Sequence, residues 1–313
     1  GCFCMDSVTV KELIDAVGLT VYSGDKHLED RKIATDDISR PGLELTGYFD
    51  YYPQERVQLF GMTEISYAHK MDPEERLEVM DKLCGENTPC FVVSRYLSIP
   101  VEMEKAAEKH GIPILRSKLP TTRLSAKMTD YLGGRLAERK SLHGVLVDIY
   151  SLGVLITGDS GVGKSETALD LIKRGHRLIA DDRVEVYQQD EQTLVGEAPA
   201  ILRHMLEIRG VGIIDVMNLF GAGAVRSKTD ISLIIHLENW DKDKKFDRLG
   251  NGEQKVRIFD VEIPKITIPV KVGRNLAIII EAAMNFRAKT MGYDATKAFE
   301  DNLNALIQQN SVN

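Results

Sequence analysis

The sequence predicts an α/β fold in two domains, and three observations carry that expectation. Short apolar runs alternate with helical stretches through most of the chain, the pattern of βα units with parallel pairing. One unit, Leu152 to Arg174, encloses a glycine loop of the form G-x-x-x-x-G-K-[ST]. The length of 313 residues suits about two cores.

Composition narrows the class. A hydrophobic share of 43% with 28% charged residues belongs to folded globular protein and excludes global disorder. A net charge of −7 argues against a general nucleic-acid binder, which concentrates Lys and Arg against phosphates. No apolar run approaches the roughly 18 residues that span a bilayer, and the N-terminus lacks the apolar core of a signal peptide. The expectation is therefore a cytoplasmic chain with neither nucleic acid nor membrane as partner. Of the four cysteines, Cys84 and Cys90 have no C-x-x-C companion, so reduced structural thiols are expected rather than zinc. Gly1 to Cys4 reads as a remnant of expression ahead of an initiator at Met5.

In the first half, Lys11 to Val17 has helical periodicity. A turn-rich segment with Arg40-Pro41-Gly42 leads to a helix over 72–83, with Pro73 suited to its first turn. Phe91 to Ser94 and Ile112 to Leu115 read as short buried strands beside a helix over Val101–His110. Thr122 to Arg139 reads as a bridging helix with Gly133-Gly134 as its weak point. Beyond it, strands are expected at 144–148, 152–157, 177–180, 184–188, 231–237 and 265–270. Helices are expected at 275–290 and at 294–308, the latter with Asp294 as N-cap. The expected domains are 5–128 and 129–313.

The glycine loop Gly158-Asp159-Ser160-Gly161-Val162-Gly163-Lys164-Ser165 follows an apolar strand and opens a helix with Ala168, Leu169 and Ile172 at helical spacing. Its glycines let backbone N–H groups converge on phosphate oxygens, and the helix N-terminus adds its positive dipole end. Lys164 is expected on the β/γ-phosphates and the Ser165 hydroxyl on Mg²⁺. Three further segments bear on the chemistry. Arg177 to Asp182 is an apolar strand ending in two carboxylates, and strand alternation sends Asp181 and Asp182 to opposite faces. One of them would accept a hydroxyl proton or hold Mg²⁺. Leu206 to Asp215 sets two glycines beside Glu207, Arg209 and Asp215, a loop whose backbone approaches a ligand closely. The polar run Asp241 to Lys255 includes Arg248, an arginine able to swing onto a transferring phosphoryl group.

Taken together, Gly158 to Ser165 and Leu206 to Asp215 resemble the HPr kinase/phosphorylase family. Ile38-Ser39-Arg40-Pro41-Gly42-Leu43-Glu44 and Pro269-Val270-Lys271-Val272-Gly273-Arg274 are also similar to segments of that family, so the resemblance runs nearly from Met5 to the end. It implies a C-terminal P-loop kinase domain related to the phosphoenolpyruvate carboxykinase nucleotide fold; for the N-terminal α/β domain a regulatory or interaction platform is the default expectation. It implies phosphorylation of a serine of the phosphocarrier HPr by ATP or pyrophosphate, and its removal by inorganic phosphate. His143, Lys164, Asp182 and Arg248 would be catalytic, with Asp182 rather than Asp181 as the base. Ser165 and Glu207 would hold Mg²⁺. Pro269 to Arg274 would serve dephosphorylation, and Lys271 and Arg274 would help seat inorganic phosphate; the stretch reads equally as an exposed basic strand end. A homohexamer and activation by fructose 1,6-bisphosphate are implied as well. Two other readings compete. A metabolite kinase leaves the glycine-rich 206–215 segment without use. The other is a nucleotide-dependent switch or regulatory ATPase that transfers phosphate only to water and signals through a partner; its guanine-specific form would want N-K-x-D, and Ser227-Lys228-Thr229-Asp230 has the wrong first residue.

Overall fold

The computed structural model describes residues 1–241 and 254–290, with backbone only for 288–290. Two compact units emerge, one from Phe3 to Glu138 and one made of Gly1–Cys2 with residues 139 onward.

In the first unit the opening helix α1 (Val10–Val17) is delimited at both ends by local chemistry. Thr9 and Glu12 form a reciprocal capping box, and Gly18 closes the helix at φ 78°. Its buried Val10, Leu13, Ile14 and Val17 share one face, as their spacing requires. The sheet contains β1 (Thr20–Ser23), β2 (Ile38–Ser39), β3 (Val57–Phe60), β4 (Phe91–Val93) and β5 (Ile114–Arg116) in the order β1-β5-β4-β3-β2. Only the β1–β5 pairing is antiparallel. Strands β3 and β4 are buried at every residue, and all but one of their side chains are apolar. The exception, Gln58, donates from its amide nitrogen to the Pro53 and Arg56 carbonyls. Helices α2 (Met62–Lys70), α3 (Pro73–Leu83) and α4 (Val101–His110) follow, then α5 (Thr121–Leu136). The expectation that α5 runs to Arg139 is corrected. Ala137 turns to extended backbone, and Arg139 opens a strand.

The second unit is a mixed sheet with the order β6-β10-β11-β14-β8-β7-β9. Its strands are β6 (Arg139–His143), β7 (Val145–Ile149), β8 (Leu152–Gly158), β9 (Arg177–Ala180), β10 (Arg183–Asp190), β11 (Thr193–Glu197) and β14 (Lys228–Asn239). Between the last two lie the hairpin β12 (Met205–Ile208) and β13 (Gly212–Asp215) and the short helix α7 (Val216–Phe220). Strand β16 (Val261–Val270) runs parallel to β14 and pairs with β15 (Gln254–Ile258). The P-loop strand β8 is parallel to β14 and antiparallel to β7, so it lies inside the sheet. Helix α6 (Lys164–Lys173) packs Ala168, Leu171 and Ile172 onto the sheet face that carries Val154 and Ile156. Helix α8 (Leu276–Thr290) joins the same core through Ala277, Ile280 and Met284. No helix among the described residues is long and apolar enough to cross a membrane. The helix expected at 294–308 lies outside the described residues.

Candidate active site

The glycine loop closes between β8 and α6, held from below by its own apolar residue. Val162 is buried in the core under the loop and its N–H donates to the Asp159 carbonyl at 3.1 Å. Its side chain therefore anchors the loop and does not line the site. Gly158 (φ 150°), Gly161 (φ 85°) and Gly163 (φ 101°) all take backbone conformations that favour glycine. At Gly158 space is decisive too, since a Cβ there would lie 2.6 Å from the Leu237 carbonyl oxygen on β14. Lys164 Nζ donates to the Gly158 and Asp159 carbonyls at 2.7 and 3.0 Å. The lysine thereby folds over the loop mouth.

Around the loop lies a cavity of about 920 Å³. It gathers His143 and Gly144, the loop residues Gly158 to Gly161, Gly163, Lys164 and Ser165, both carboxylates Asp181 and Asp182, and Glu207, Arg209, Gly210 and Gly212. The two aspartates do different work. Asp181 is buried; one carboxylate oxygen accepts from the Ser165 hydroxyl at 3.0 Å and the other from the Glu207 N–H at 2.9 Å. Burial pushes its carboxyl above the ordinary aspartate value, although the Glu207 amide and the Ser165 hydroxyl hold it down. Asp182 is exposed at φ 64°, and its carbonyl accepts the Gly144 N–H at 3.2 Å. The expectation that alternation separates the two is corrected. Strand β9 ends at Ala180, and the left-handed turn at Asp182 brings both residues to the same cavity.

His143 ends β6, where it pairs with Arg183 next to Asp182. Glu207 sits on β12, and the segment read as a glycine loop is a hairpin with Ile208 opposite Gly212. Its turn carries Arg209, whose guanidinium packs over the P-loop: a Cβ on Gly161 would lie 3.2 Å from Nη2. Sequence reasoning noted Arg209 without a role, and only the fold shows that it covers the phosphate loop. The donor set suits Mg²⁺. That ion needs one or two protein oxygens beside phosphates and water, and Asp181 fixes the Ser165 hydroxyl and the Glu207 backbone from behind.

Two groups of expected residues are not gathered here. Pro269 to Arg274, at the end of β16 and the turn beyond, do not line the cavity. Lys271 Nζ lies 4.9 Å from the Trp240 ring centroid, Val272 is fully exposed, and Arg274 N–H closes a turn onto the Lys271 carbonyl. Arg248 lies outside the described residues.

A strand–loop–helix phosphate cradle with one carboxylate exposed at its mouth and a second buried behind Ser165 has the parts of a P-loop kinase. The sequence model of the HPr Serine kinase N terminus matches residues 8–132, and that of the HPr Serine kinase C-terminal domain matches 134–303. The chain belongs to the HPr serine kinase family. The HPr kinase/phosphorylase of Latilactobacillus sakei subsp. sakei (strain 23K) is 70% identical over 307 residues, 98% of each chain. That of Enterococcus faecalis (strain ATCC 700802 / V583) is 62% identical over 305 residues, 97% of this chain and 98% of its own. A solved structure of the Hpr(Ser) kinase/phosphatase from Coxiella burnetii is similar at 35% identity and a TM-score of 0.46, covering 49% of this chain and 99% of its own.

Proposed function

We propose that this chain transfers a phosphoryl group from ATP or pyrophosphate to a serine of the phosphocarrier HPr, and returns it to inorganic phosphate. The observation that supports this most directly is the meeting of the P-loop, Asp182 and Glu207 around one cavity open enough to admit a side chain from another protein. Lys164 and the loop amides bind the donor phosphates. Asp182 takes the serine hydroxyl proton as the serine oxygen attacks phosphorus and the bond to the donor breaks. In reverse, an oxygen of inorganic phosphate attacks the phosphoserine, pyrophosphate forms, and the serine oxygen leaves with the proton Asp182 returns. His143 lies beside Asp182 at the cavity wall. Arg248 steadies the charge that develops on the transferred group. Ser165 and Glu207 are the ligands proposed for Mg²⁺, with Asp181 as their anchor. Bound there, the ion offsets phosphate charge.

The phosphorylase role of Pro269, Val270, Lys271, Val272, Gly273 and Arg274 rests on the family resemblance. So do the homohexamer and the response to fructose 1,6-bisphosphate. A cytoplasmic location and a regulatory or interaction role for the N-terminal domain, residues 5–128, complete the reading. The test of the reaction is direct. Incubation with Mg²⁺, ATP and purified HPr should yield a stable phosphoserine that added inorganic phosphate removes. No phosphoserine would sink the proposal; phosphoserine that resists excess phosphate would sink its reverse half.

A further inference from the structure

The hairpin that carries Glu207 also carries two outward apolar side chains. Val211 is 73% exposed at its turn and Ile213 is 70% exposed on β13. Strand register explains the direction of Ile213. It is the cross-strand partner of Glu207, and partners in an antiparallel ladder project to one face. The next pair, Leu206 and Ile214, projects oppositely and packs into the core. Ile213 thus stands on the solvent side beside a carboxylate that lines the phosphate cavity. Gly210 and Gly212, which flank Val211, line the cavity themselves, so this apolar rim is continuous with the reaction site.

We propose that Val211 and Ile213 determine acceptor specificity, seating the apolar side chains that flank the serine of a protein acceptor while its hydroxyl reaches Asp182. The inference rests on the phosphotransfer reading and deepens it. Branched aliphatic side chains have nothing to offer a phosphate, and a small metabolite would be enclosed by the polar walls without meeting the outer rim. A folded protein meets the rim whenever its serine enters. The occupant is therefore the acceptor protein, recognised by apolar residues next to its serine.

The test compares the full chain with Ile213→Ser, Val211→Ser and the conservative Ile213→Leu. Four quantities are read: initial phosphorylation rates against acceptor concentration, affinity for MgADP, sedimentation at assay concentration, and melting temperature. Losing one buried aliphatic contact raises the acceptor KM by roughly tenfold or more for Ile213→Ser, and less for the more peripheral Val211→Ser. Ile213→Leu should stay within about twofold, since it keeps the apolar volume. In all three, kcat, MgADP affinity and sedimentation should match the parent. An unchanged acceptor KM in both serine variants would overturn the proposal. So would a parallel loss of MgADP affinity at an unchanged melting temperature, which would assign these residues to the phosphate site. Altered sedimentation would give the rim to a second copy of the chain and overturn it too. If the parent makes no phosphoserine, the phosphotransfer reading fails and takes the inference with it; an active parent whose KM ignores Ile213 refutes the inference alone.

Discussion

Replacing Gly158 by alanine separates two reasons for a glycine in a phosphate loop. At Gly158 the added Cβ would meet the Leu237 carbonyl oxygen at 2.6 Å and Val162 Cγ1 at 2.9 Å, with φ at 150°. At Gly163 φ is 101° but nothing lies within 4 Å of the same atom. Backbone strain of this kind costs about 1–3 kcal/mol, and overpacking adds about 1–3 more where neighbours cannot move. Leu237 is in the middle of the sheet and Val162 in the core, so neither gives way cheaply. Gly158→Ala should therefore lose about 2–6 kcal/mol and Gly163→Ala about 1–3, each less up to about 1 kcal/mol from the stiffer unfolded chain. At roughly 2–4 °C per kcal/mol for a unit of this size, Gly158→Ala melts several degrees below Gly163→Ala. Thermal unfolding followed by circular dichroism, with MgADP titration alongside, reads both. If Gly158→Ala melts at or above Gly163→Ala, the close approach to β14 does not constrain the loop and the reasoning is refuted.

Other outcomes follow from the site and the core. Asp182→Asn should cut phosphoryl transfer by roughly 10²–10⁴-fold, and Arg248→Ala by about 10³–10⁵-fold, with nucleotide affinity largely kept. Near-normal rates in either variant would remove that residue's role. Asp181→Ala frees Ser165 and the Glu207 backbone, so titrations of ADP with and without Mg²⁺ should show the metal-dependent gain in affinity shrinking while metal-free binding changes little. Burial pushes the Cys84 and Cys90 thiols up to about 12, so a colorimetric thiol reagent at pH 8 should label exposed Cys2 and Cys4 quickly and the other two only in denaturant. Arg174 and His176 hold the Glu281 carboxyl below its ordinary value of 4.5. A depressed carboxylate stabilises the fold above its unfolded pKa and loses that contribution as pH falls through the folded one. The stability gap between the parent and Glu281→Gln should therefore be full at pH 6 and close progressively below pH 4.5; a gap that is constant with pH contradicts the pairing.

How much of the site was legible depended on how local each signal is. The P-loop was legible because strand, glycines, lysine and helix are contiguous, and its glycines take the left-handed backbone that the pattern demands. The capping box at Thr9 and Glu12 belongs to the same class. The hairpin at 205–215 read as a loop because Gly210 and Gly212 break its apolar pattern, and cross-strand pairing leaves no mark over so few residues. Strand β6 was not foreseen. Its first residue, Arg139, reads as the end of the preceding helix, and Lys140 to His143 have a single apolar residue, Leu142, to mark a strand. The phosphate-seating role of residues 269–274 comes from the family resemblance, beside an equal reading as an exposed basic strand end, and the turn after β16 does not bring them to the cavity lining.

By itself, then, the sequence determined the two α/β domains, the phosphate loop and its family, because each is written in neighbours a few residues apart. Only the tertiary structure shows how the surroundings of the two aspartates differ. Asp181 and Asp182 are adjacent and chemically identical. Burial beneath Ser165 and Glu207 makes one an anchor, while a left-handed turn beside His143 leaves the other exposed at the cavity mouth. The same holds for Arg209, which reaches Gly161 only because a hairpin folds across the loop. Such distinctions depend on what lies across space, where burial and hydrogen-bond partners come from distant segments, and that information is absent from the order of residues along any one of them.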